Sequence, residues 1–137
     1  MGPREHLNNY LKKVSSTPFK WGEHDCLTFT NDAYHAMYGV GWADDWLGRY
    51  MQNNCPMRYK ELRKEFKFFD LIDAIDDRLK RIDFIPPLGA LVVTKKKNSW
   101  ITGYAMGISN GRKGVFLSRS GIIFLSFEHI NHAWMRA

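Results

Sequence analysis

Leu7, Tyr10, Leu11 and Val14 fall at i, i+3, i+4 and i+7, with Lys12 and Lys13 turned the other way, a spacing that predicts an amphipathic first helix. Ser15-Ser16-Thr17-Pro18 supplies its stop. After the short run Phe19-Lys20-Trp21-Gly22, the period resumes. Cys26, Phe29, Ala33 and Met37 share one face and Gly39 terminates the pattern, so a second, buried helix is predicted to open at Cys26. Residues 39–50 show no sustained period and read as a loop whose Trp42, Trp46 and Tyr50 fold back onto the core. Tyr59, Leu62 and Phe66 mark a further helix. Phe68, Ile72, Ile75, Leu79 and Ile82 mark another, with Asp70, Asp73 and Asp77 on its solvated side.

Beyond Pro86-Pro87 the pattern changes. Residues 88–94, 100–109, 115–118 and 122–127 are β-branched or aromatic runs separated by turn signals, among them Asn110-Gly111 and Ser120-Gly121. Lys95, Lys96, Lys97 and Asn98 form the longest hairpin loop, with the lysines in water. Helices first and an antiparallel sheet second predict an α+β fold in one domain spanning 1–137. Large aromatics beside glycines and near the chain end, Trp21, Tyr50 and Trp134, are expected to be buried around the Cys26 helix.

Composition agrees with one self-sufficient core: 137 residues, 45% hydrophobic and 15% aromatic against 25% charged. The net charge of +6 favours acidic surfaces without identifying one. It comes with no helix-turn-helix, zinc or RNP-like pattern, so nucleic acid is not the expected partner. No apolar stretch approaches the roughly 20 residues that cross a bilayer, and the Met1 end carries no apolar signal core, so synthesis in a cytoplasm is expected.

The two cysteines, Cys26 and Cys55, are too few for a disulfide framework and lack the pairing of a zinc knuckle. Cys55, before Pro56, reads as a small buried hydrophobe. Cys26 reads differently. Asp25 is placed to cap the helix, which leaves the thiol beside unsatisfied backbone N–H groups and the positive end of the dipole, an environment that favours thiolate. Cys26 is therefore the candidate nucleophile and is expected to outpace Cys55 toward a thiol probe. His24, two residues earlier, is the candidate base or else a histidine that ties down the approach loop. His129 and His132 are further candidates from the sheet edge, whereas His6 and His35 are expected to take no part. No cofactor or metal is called for.

Trp21-Gly22, the Asp25-Cys26 pair opening a helix, and Gly107-Ile108 followed by Gly111 resemble the NlpC-type branch of papain-fold cysteine peptidases, which cut peptides of bacterial cell walls. Over 18–134 the resemblance is closer to a family of small phage proteins encoded among tail genes. It is carried there by Pro18-Phe19, Trp21-Gly22-Glu23-His24-Asp25-Cys26, Gly39, Gly48-Arg49-Tyr50, Leu88-Gly89, Met106-Gly107-Ile108, Gly121-Ile122 and Ala133-Trp134. The resemblance implies a papain-like domain in a virion tail, made in the bacterial host cytoplasm, with other tail proteins as partners. In the peptidases the base is a strand histidine, and the corresponding position here is Ala105, or Tyr104 if the register slips; Gly89-Ala90 stands where Gly-Asp is usual. The resemblance thus implies a tail-tip or assembly component whose peptidase activity is weak or lost. The alternative is an active cysteine peptidase or amidase on cell-wall peptide, with Cys26 attacking and His24 or a C-terminal histidine moving the proton.

Overall fold

The computed structural model describes residues 2–68, 70–95 and 104–137. The N-terminal half is helical: α1 (Pro3–Val14) and α2 (Cys26–Tyr38) pack on each other, followed by a 3-10 turn at Asp44–Trp46, a two-residue hairpin β1 (Met51–Gln52) and β2 (Cys55–Pro56), then α3 (Tyr59–Phe66) and α4 (Leu71–Asp76). The C-terminal half is a sheet of β3 (Leu79–Ile82), β4 (Leu91–Thr94), β5 (Ala105–Ser109), β6 (Gly114–Ser118), β7 (Gly121–Leu125) and β8 (His132–Arg136). Among the described residues it runs β3-β8-β4-β5-β6-β7 and every pairing is antiparallel. The architecture is therefore α+β, helices first and antiparallel sheet second. No helix among the described residues is long and apolar enough to cross a membrane.

The 3.6-residue period did its work in α1, which buries Leu7, Leu11 and Val14, and in α2, which ends where Gly39 takes φ +79°. α2 then lies on β5, so one face of the sheet meets the helices. Alternation along the strands sorts the side chains: Leu91, Val93, Met106, Ile108, Val115, Leu117 and Trp134 join the helical core, while Val92, Ala105, Phe116 and Ala133 make a second cluster on the opposite face. Trp42, Trp46 and Tyr50 are buried in the main core, as their loop position predicted. Trp134 is fully buried as well. Trp21 is only half-buried, packed edge-on against Phe19, because it stands in the approach loop rather than under the sheet.

Several expectations need correction. Leu79 and Ile82 do not extend a helix: the chain leaves α4 at Asp76, and Leu79–Ile82 forms strand β3 against β8. Asp70 is not merely solvated, since its carboxylate caps α4 by accepting from Asp73 N at 2.9 Å. Strand β8, absent from the sequence reading, lies between β3 and β4. Of the run at 88–94, only Leu91–Thr94 is strand, and Phe127 belongs to a 3-10 turn, Phe127–His129, rather than to β7. The lysine loop falls largely outside the described residues, as does the start of the run at 100–109; Lys95 is seen, its amide donating to Asn131 Oδ1.

Candidate functional site

The site is assembled at the N-terminus of α2. Asp25 is the N-cap residue, in extended conformation, and its Oδ1 accepts from Thr28 N at 2.9 Å while Thr28 Oγ1 accepts from Asp25 N at 2.8 Å. This is a reciprocal capping box with threonine in the place usually taken by glutamate or glutamine. The other carboxylate oxygen accepts from Gly22 N at 2.8 Å and from the Tyr50 hydroxyl. Gly22 reaches that position with φ +79°, where a side chain would strain the backbone. Asp25 is completely buried, and these donors replace the water it has lost. Burial together with the Asp25 carboxylate holds the Tyr50 phenol well above its ordinary pKa, so it remains a donor at every physiological pH.

Cys26 occupies the first turn of the same helix, as the sequence predicted, but its surroundings favour the thiol over the thiolate. It is 2% exposed, and its pKa is pushed up to about 12, first by burial and then by the adjacent Asp25 carboxylate. Hydrogen bonding from the backbone of Met106, Cys26 and Leu27 acts in the opposite sense and does not prevail. The expectation of a thiolate is overturned by desolvation. A helix terminus supplies partial charges, whereas sealing the sulfur removes water from around the charged form. Cys55, expected to be buried, is instead exposed on the small hairpin, and both cysteines are free.

The strand opposite the thiol presents Met106. Ala105, the position that the resemblance assigns to the base, points to the other face of the sheet, with Val92, Phe116 and Ala133. Tyr104 shares the parity of Met106 and packs, half-buried, against the helical core. Gly107 admits no side chain, because a Cβ there would come within 2.4 Å of the Val115 carbonyl oxygen.

His24 is buried in the loop that leads into α2. Its backbone closes the approach loop in an isolated bridge with Lys20, and its ring stands edge-on to Phe29 with centroids 6.2 Å apart. The ring Nε2 has no hydrogen-bond partner among the described residues, and no hydrogen bond joins the ring to Cys26. Burial lowers its pKa, more than the carboxylates of Asp32 and Asp25 raise it, so the imidazole is neutral near pH 7. Of the remaining candidates, His132 lies in the cross-strand row Met106, Val93, His132. Two strand spacings, roughly 10 Å, therefore separate its backbone from Met106. Its ring sits between Tyr104 and Trp134. His129 faces Glu128 at 3.4 Å. His6 is exposed on α1. His35 clamps the loop after α2: its Nε2 lies 2.6 Å from Asp44 Oδ1, which also accepts from Asn31 Nδ2 at 2.8 Å.

The sequence reading missed the bond from Tyr50 to Asp25 and the Asp44 clamp, whose partners are separated by irregular chain. It also passed over a signal that was present: Lys60, Arg63, Lys64 and Lys67 recur at i, i+3, i+4 and i+7 along α3. Among the described residues, no three His, Cys, Asp or Glu side chains converge as metal ligands.

Comparison with curated proteins finds no match. A protein-family model described as Domain of unknown function (DUF6950) matches residues 3–135, nearly the whole chain, and the chain therefore belongs to the DUF6950 family.

Proposed function

We propose that the chain is a tail-tip or assembly component of a phage, with an NlpC-like, papain-like fold whose peptidase chemistry has been lost. One observation carries the loss: the Cys26 thiol is sealed, with Met106 rather than an imidazole across from it. A thiol with a pKa near 12 is thiolate at pH 7 in only about one molecule in 10⁵. The departing amine also needs a proton donor, help that is typically worth about 10² to 10⁴ in rate, and no histidine of the described chain bonds to the sulfur. The reading of the fold is supported by the order of elements, a helix that opens at Cys26 and packs on β5 of an antiparallel sheet. The tail assignment rests on the ordered motifs over 18–134. On this reading the protein is made in the bacterial host cytoplasm, ends in the virion tail, and has other tail proteins as partners.

The test compares phage carrying wild-type protein, Cys26→Ala and a deletion. Tails should fail to assemble or to function only in the deletion, and purified wild type should release no peptide from bacterial cell wall. Cleavage that Cys26→Ala and His24→Ala both abolish would establish the alternative, a cysteine peptidase or amidase acting on peptidoglycan peptide.

A further inference from the structure

The strongest feature outside the capped helix is α3. Around this helix the residues divide into three stripes. Leu62 and Phe66 turn toward the core, with Tyr59 on the same side lining the cavity; Lys60, Lys64 and Lys67, with Arg63 at the border, form a basic stripe beside them; Glu61 and Glu65 lie beyond. Glu65 is engaged by Arg49 at 3.2 Å, and the Arg49 guanidinium also covers the Phe66 ring. Lys60, Lys64 and Lys67 are exposed and make no ion pair among the described residues. Lysines on an exposed helix face are ordinary by themselves. These, however, border a hole in the core.

Between α3, α4 and the 3-10 turn lies an apolar cavity of about 50 Å³, walled by Trp46, Tyr50, Tyr59, Leu62, Phe66 and Leu71. An open groove of about 530 Å³ runs along Lys60, Arg63, Lys64, Lys67 and Phe68. Arg63 and Phe68 line both, so the apolar hole opens beside the basic stripe. A cavity of this size exceeds the roughly 10 to 15 Å³ needed for one water, yet is far below the roughly 150 Å³ that accepts a benzene ring. It fits the tip of a branched aliphatic side chain. The chain carries a net +6, and the groove is lined by Lys60, Arg63, Lys64 and Lys67 with no carboxylate among its described residues, Asp70 standing instead in the wall of the cavity, so a complementary occupant carries negative charge along the groove.

We propose that this surface is a docking site for an acidic peptide segment of a partner protein, which lays carboxylates along Lys60, Lys64 and Lys67 and inserts one leucine-like side chain into the cavity. The proposal deepens the tail-component reading above and rests on it only for the partner's being a tail protein. The apolar anchor supplies affinity, and the charge pairs supply register and speed of encounter.

The experiment follows intrinsic tryptophan fluorescence, to which Trp46 in the cavity wall contributes, as purified protein is titrated with a glutamate-rich synthetic peptide carrying one leucine, with the same peptide carrying alanine instead, and with phosphatidylglycerol vesicles. The leucine peptide should bind, the alanine peptide about tenfold more weakly, and binding should fade as ionic strength rises to about 0.5 M. Lys64→Glu should weaken the leucine peptide by about tenfold or more, and Ala74→Val, which fills the cavity, should erase its advantage over the alanine peptide. Lys67 sits in the left-handed conformation at φ +60°, so Lys67→Gly relieves strain while removing a cation. It should weaken binding severalfold without lowering the urea midpoint, which separates recognition from folding. No binding of the leucine peptide, binding indifferent to Lys64→Glu and Ala74→Val, or capture of vesicles alone would overturn the proposal. If binding obeys these variants but phage lacking the protein still builds working tails, the site stands and the tail reading fails. If tails require the protein yet assemble normally with Lys64→Glu, the tail-component reading stands and this site is wrong.

Discussion

The Tyr50 hydroxyl donates to Oδ2 of Asp25 across 25 residues of chain, tying the loop before β1 to the first turn of α2. Both side chains are buried, so neither has water as an alternative partner. Tyr50→Phe keeps the ring in the core and removes one of the donors that neutralise a buried carboxylate. It should lower unfolding free energy by about 1 to 3 kcal/mol. Urea denaturation of the two proteins measures this, and an unchanged midpoint would mean that the remaining donors suffice.

The cysteines should react in the reverse of the order their sequence neighbourhoods suggested. Cys55 is exposed, whereas Cys26 is sealed and its thiol is pushed up to about 12. In native protein at neutral pH, Cys26→Ser should label rapidly through Cys55. Cys55→Ser should label only as fast as the fold opens, accelerating with denaturant. Equal rates would show that the thiol is reached without unfolding.

Stability should fall on mild acidification. Burial depresses the folded-state pKa of His24, and His132 shifts in the same direction by burial and the Arg81 charge. A depressed histidine binds more protons unfolded than folded, so its contribution is fully present above the unfolded value of about 6.5. That contribution declines as pH drops from about 6.5 toward the lower folded value. Urea midpoints between about pH 8 and pH 5.5 should decrease, and His24→Phe should flatten part of the slope. A slope identical in the variant would place the titration elsewhere.

Trp134 should be among the costliest side chains to remove. It is fully buried in β8, and its Nε1 donates to Asp76 Oδ1 at 2.8 Å, while Arg81 pairs with the same carboxylate. Trp134→Ala should cost about 3 to 5 kcal/mol. Trp134→Phe, which retains most of the apolar area but loses the bond to Asp76, should cost less. Thermal unfolding compares the pair.

Gly121 joins the two halves of the fold. A Cβ there would come within 2.1 Å of the Ser15 carbonyl oxygen, the same oxygen that accepts from Ile122 N at 3.1 Å. Gly121→Ala should therefore push α1 away from β7 and destabilise by about 2 kcal/mol or more, with both backbones resisting the shift. Calorimetry showing no loss would mean that the end of α1 yields freely.

What the sequence determined by itself was local. The 3.6-residue spacing of α1 and α2, the Asp25 cap and the Gly39 stop involve residues within a few positions of one another, and their geometry follows from backbone sterics and unsatisfied helix termini. The change to strand-forming runs after Pro86-Pro87 was legible for the same reason. Tertiary structure decided the rest. Ile72, Ile75, Leu79 and Ile82 satisfy a helical period, yet Leu79–Ile82 is strand because β8 offers it a ladder, a partner from the far end of the chain. β8 itself is five residues with little signal of their own, placed inside the sheet by neighbours on both sides. The state of Cys26 shows the division most sharply. The helix terminus that argues for thiolate is written in adjacent residues, but the burial that keeps the proton on sulfur arrives with Met106 and Tyr50, and desolvation outweighs a terminal dipole.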